Sequence, residues 1–71
     1  MENINMKTTH HIKLKAYAIA IASLKKQIEA KRKLELRTKD LNRRFLIEEE
    51  RDDLTRLVNE INILRNTLIN I

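Results

Sequence analysis

The chain has 71 residues, with no cysteine, glycine or proline, one tyrosine, one phenylalanine, 35% charged residues and a formal net charge of +5. This composition excludes a disulfide-stapled fold, a thiolate metal site, a glycine loop that cradles phosphates, and a sheet-rich architecture. So short a chain builds one small domain at most, and its stability must come from helix packing or from association.

Residues 1–9 are polar and aperiodic and are expected to form a flexible N-terminal tail, with Thr8 or Thr9 available to cap the helix that follows. His10 and His11 are adjacent, so on a helix they point about 100° apart. With no further His and no Cys in the chain, no metal site is expected. The apolar run 16–24, preceded by Lys13 and Lys15, is rich in alanine and followed directly by Lys25 and Lys26, which makes it thin for a secretory leader core, and it is well below the ~20 residues that span a bilayer. The chain is therefore expected to be cytoplasmic and unprocessed.

From Leu14 an apolar seam runs through Tyr17, Ile21, Leu24 and Ile28 at spacings of three and four, the pattern with which one helix buries a stripe against another. Ala16, Ala18, Ile19, Ala20 and Ala22 lie outside that stripe, so the first helix is apolar around much of its circumference and calls for cover on more than one side. The next in-frame positions are Lys31 and Glu35, where the apolar pattern breaks. Between residues 31 and 44 seven cations stand against Glu35 and Asp40. Within that basic stretch, Thr38, Asp40 and Asn42 are residues that compete for their own backbone and favour caps and turns.

An acidic run, 48–53, then leads into a second seam of Leu54, Leu57, Ile61, Leu64, Leu68 and Ile71. On a straight helix the second seam would be rotated by roughly 80° from the first, because Ile28 and Leu54 are 26 residues apart. Folding the chain back near Leu41 instead sets Leu14 opposite Leu68, Tyr17 opposite Leu64, Ile21 opposite Ile61, Leu24 opposite Leu57, Ile28 opposite Leu54, and Lys31 opposite Glu50. The expected fold is all-α: an antiparallel helical hairpin, a two-helix coiled coil with helix 10–38, turn 39–41 and helix 42–71, self-associating into a helical bundle. The alternative is one long helix in an antiparallel coiled-coil dimer, which makes the same pairings between two chains. Either arrangement leaves Ala16, Ile19, Ala20, Ile63 and Ile69 with uncovered apolar surface, which predicts self-association.

No reactive constellation is present. Ser23 has no base at a recognisable spacing, and Glu49 with Asp53 reads as an exposed helical pair. No catalytic, cofactor-binding or metal residues and no small-molecule substrate are expected, so the chain reads as a non-enzyme. Binding remains. Lys25, Arg32, Lys39 and Arg43 recur along one side of a helix with Lys33, Arg37 and Arg44 near them, which suits phosphate contacts or an acidic partner and carries no base-reading geometry. The expected function is that of a small helical interaction protein, a homo-oligomer, most simply a dimer, that binds a protein partner as an accessory or inhibitory factor. Its composition, rich in Ile, Asn and Lys, is common among small phage proteins. The alternative is RNA or other nucleic-acid binding through residues 25–44. Attachment to a membrane surface through residues 12–33 is not expected, because that face carries no Trp or Phe.

Overall fold

The structure is a computed structural model that describes the backbone of residues 2–70 and the side chains of residues 9–70. Two antiparallel helices, α1 (Glu2–Arg37) and α2 (Leu41–Ile69), pack along their lengths as a hairpin of 59 × 15 × 12 Å. The described residues contain no strand. The chain is thus the helical hairpin, and the reversal at residues 38–40 replaces the continuous long helix of the alternative.

The reversal is made without any residue at positive φ, which is how a chain free of glycine can turn. Asp40 does the work. Its backbone is extended (φ −75°, ψ 118°), its carboxylate accepts a 3.0 Å hydrogen bond from the Asn42 N–H, and its carbonyl accepts the Arg44 N–H at 2.9 Å. This is an N-cap, which satisfies donors that the first turn of α2 would otherwise leave open. Thr38 closes α1 from the other side: its N–H reaches the Glu35 carbonyl at 3.2 Å and its hydroxyl donates to the Leu34 carbonyl at 2.7 Å. Asp40→Ala should lower stability by about 1 kcal/mol in urea unfolding. Asp40→Asn, which keeps the capping oxygen, should recover nearly all of it.

Three boundaries differ from the expected ones. Helical backbone begins at Glu2, so residues 2–9 are helix and neither Thr8 nor Thr9 opens it. Nothing in that segment is a helix breaker, and Asn and Thr are only modestly unfavourable inside a helix. The turn occupies residues 38–40, one position earlier than 39–41, because Asp40 is the cap and Leu41 is already the first residue of α2. The last described helical residue is Ile69, and Ile71 of the expected seam lies outside the described residues.

On α1 the inward face is a strict alternation of four and three: His10, Leu14, Tyr17, Ile21, Leu24, Ile28, Lys31 and Glu35, followed just past the helix end by Thr38, are all buried or half-buried. The line does not stop at Lys31 and Glu35; it turns polar and continues. On α2 the inward residues are Ile47, Arg51, Leu54, Val58, Ile61, Asn62 and Leu68. Val58 and Ile21, 7% and 8% exposed, form the core.

Leu57 and Leu64 correct the expected seam, being 50% and 52% exposed. The sequence contains two overlapping stripes that share Ile47, Leu54, Ile61 and Leu68. One adds Glu50, Leu57 and Leu64, and the other adds Arg51, Val58 and Arg65. The first would put Glu50 on the inward line and leave Arg51 outside it, so Glu35 would have no cation reaching it from α2. The observed rotation brings Arg51 there instead, with Nη1 2.9 Å from Glu35 Oε2, and leaves Glu50 at the flank, paired with Lys31. Charge at the turn end therefore chooses which leucines face inward further along.

Candidate interaction surfaces

The hairpin has two flanks, and they differ. A groove on one is lined by Lys31, Leu34, Arg43, Leu46, Ile47 and Glu50. Residues seven apart repeat one side of a helix in such a pair, so this flank continues from Leu34 back to Gln27 and Ala20 and from Glu50 on to Leu57 and Leu64. A groove on the other flank is lined by His11, Leu14, Lys15, Ala18, Arg65 and Ile69. The same repeat carries that flank from Ala18 to Lys25 and Arg32 and from Ile69 back to Asn62, Thr55 and Glu48. One flank carries leucines along its length, and the other is apolar at the open end, through Leu14, Ala18 and Ile69, and polar toward the turn.

The back faces hold Ile12, Ile19 and Ile63, all exposed. Of the residues expected to carry surplus apolar surface, Ala16, Ile19, Ile63 and Ile69 are exposed and Ala20 is half-buried at the edge of the leucine flank.

The seven candidate cations are all exposed, and the turn separates them. Lys25, Arg32, Lys33 and Arg37 lie on α1, Lys39 in the connection, and Arg43 and Arg44 on α2. They form a basic end to the hairpin and not one continuous helical stripe. Arg32 is engaged by Glu29 through Nη2 at 2.9 Å and Nε at 3.2 Å. Those hydrogen bonds hold the Glu29 carboxyl below its ordinary range and push the Arg32 guanidinium above its own. Among the described residues, Lys25, Lys33, Arg37, Lys39, Arg43 and Arg44 make no ion pair. The acidic run neutralises little of this end: Glu50 takes Lys31, and Asp53 pairs with Arg56 at 3.4 Å. Exposed Leu36, Leu41 and Phe45 stand among the cations.

The remaining polar candidates are placed plainly. Ser23 Oγ accepts a 3.4 Å hydrogen bond from Gln27 Nε2. His10 is half-buried at the end of the seam, while His11 borders the flank opposite the leucines. Glu49, Asp52 and Asp53 share a shallow surface depression with Arg56. Among the described residues, no group of three or more His, Cys, Asp and Glu is disposed to hold a metal ion, and no helix is long and apolar enough to cross a membrane.

Sequence reasoning missed the pair Glu35 and Arg51. The signal was there, since Glu35 is in frame with Leu14, Ile21 and Ile28 at sevenfold spacing, and Arg51 is in frame with Val58. By composition Glu35 reads as a break in the apolar line and Arg51 as a member of the acidic run 48–53. No family model matches this chain, and comparison with curated proteins and with solved structures finds nothing similar to it.

Proposed function

We propose that this chain is a non-enzymatic helical interaction protein that self-associates and engages another protein through the surfaces its hairpin leaves open. The observation that carries the reading is surface area. The chain exposes 6109 Å², whereas a compact monomer of its mass exposes about 4,700 Å². Two helices side by side cover one stripe each, and the sequence supplies more apolar surface than one stripe: Leu57, Leu64, Leu46 and Ile63 are each at least half exposed. Such surface is ordinarily covered by a partner. Light scattering on the purified chain, at micromolar concentration and in both low and high salt, should give a mass above the 8.5 kDa of one chain. A monomer under all conditions would overturn the reading.

A second reading, binding of RNA or other nucleic acid, is favoured by the five unpaired cations around the turn: Lys33, Arg37, Lys39, Arg43 and Arg44. Five phosphate contacts to a single strand predict a slope of about −3.5 in log affinity against log salt, roughly a hundredfold loss between 50 and 200 mM. Reversing all five to Glu should abolish retention of nucleic acid while leaving far-UV ellipticity at the parent value. Retention unchanged by the reversal would remove this reading.

A further inference from the structure

We propose that the leucine flank is covered by a second copy of this chain, laid end for end against the first, so that the two basic turn ends lie at opposite ends of a four-helix bundle. The proposal rests on the self-association put forward above and assigns it a face, an occupant and an orientation.

The face follows from the helix phase. Turning Arg51 and Val58 inward forces Leu57 and Leu64 onto the flank that already holds Leu34 and Leu46 beside Glu50. The opposite flank repeats through Lys25, Arg32, Thr55 and Asn62, so of the two flanks this one carries the run of leucines along its length. Small Ala20, and Ala16 beside it, allow a neighbouring helix to approach closely there.

The occupant follows from area. The exposed surface exceeds that of a compact monomer by roughly 1,400 Å² per chain. Two free copies expose roughly 12,200 Å² against about 7,700 Å² for a compact protein of twice the mass, and the difference of roughly 4,500 Å² is within the about 2,000 to 5,000 Å² that obligate pairs bury. A two-fold pairing also uses the same patch on both partners, so a single surplus face is sufficient.

The orientation follows from charge and register. The Lys31–Glu50 pair fixes which residues share a level along the hairpin. Leu34 and Leu46 sit toward the turn, Ala20 and Leu64 toward the open end, and Gln27 between them. Reversing the second copy about an axis at Gln27 seats Leu34 of each copy on Ala20 of the other, and Leu46 of each on Leu64 of the other. It also carries the two sets of unpaired turn-end cations apart along a 59 Å rod, whereas copies aligned in the same direction would bring them together at a repulsive cost.

The chain contains no cysteine, so single cysteines report proximity without background. Gln27→Cys, Ile19→Cys on the back face, and mixtures of singly substituted chains would be oxidised as full-length protein and run on non-reducing gels. Gln27→Cys should yield a product at twice the 8.5 kDa chain mass. So should Leu46→Cys mixed with Leu64→Cys, while Ile19→Cys should not. Linking of Leu34→Cys with Leu46→Cys, without linking of Gln27→Cys, would overturn the orientation. Linking strongest at Ile19→Cys would overturn the face. A parent chain that is monomeric by light scattering would instead overturn self-association itself, so the two failures are distinct.

Discussion

Val58→Asp should abolish cooperative unfolding of this protein, whereas Leu57→Asp, one residue earlier, should leave the hairpin helical. Val58 is the most enclosed apolar side chain on α2, at 7% exposure, and it faces the line of Ile21 and Leu24. A carboxylate in that position has neither water nor a cation to satisfy it, and the cost of such a change is about 3 to 5 kcal/mol. A domain of this length has about 4 to 10 kcal/mol in total. The loss is therefore comparable to the whole stability, and far-UV ellipticity should fall toward the unfolded value. Leu57 is half exposed, and a charge there keeps most of its hydration. Its effect should appear in mass, as weakened association, more than in helicity. Equal loss of ellipticity in the two variants, compared at one concentration, would mean that Leu57 lines the seam as much as Val58 does.

That comparison isolates the place where periodicity was insufficient. Leu14, Tyr17, Ile21, Leu24 and Ile28 are in one frame with nothing apolar competing at the same spacing, so the inward face of α1 is legible from the residues. In α2 the apolar face is wider. Leu54, Ile61 and Leu68 belong equally to a stripe through Leu57 and Leu64 and to one through Val58, and hydrophobicity alone favours the leucines. The choice is made nearer the turn, at Glu35 and Arg51, by a requirement that a half-buried carboxylate and guanidinium meet. Counting apolar residues cannot register that. The turn was legible to within one residue because Asp40 is a strong capping type, whereas the start of α1 was not, since polar composition alone does not prevent helix in a segment free of breakers. The basic stretch was legible as charge but not as shape. Its cations gather at one end because the reversal at residues 38–40 interrupts the side they would share on a continuous helix.

Arg51→Leu alone should destabilise the hairpin by about 1 to 3 kcal/mol, and Glu35→Leu alone by a similar amount, while the double variant should be close to the parent or more stable. The two side chains are 27% and 16% exposed, enclosed enough that either one left alone bears much of its desolvation cost. Glu35 Oε2 accepts no hydrogen bond from any described group, so the charge of Arg51 is what compensates it. Removing both leaves an apolar layer continuous with Ile28, Ile47 and Leu54, and replacing an enclosed ion pair with apolar side chains is commonly neutral or stabilising. The thermodynamic cycle across the four proteins, measured by urea unfolding, should therefore give a coupling of about 1 kcal/mol or more. A coupling near zero would mean the two groups act independently, and the helix rotation would need another cause. The double variant has a second expected outcome. Without the Glu35–Arg51 pair, a rotation of α2 that turns Glu50, Leu57 and Leu64 inward no longer strands an enclosed carboxylate away from its cation. The leucines would then be withdrawn from the flank that a second copy covers. Stability should hold while association weakens, a separation that ordinary destabilisation of the hairpin does not produce and that light scattering on the double variant would reveal directly.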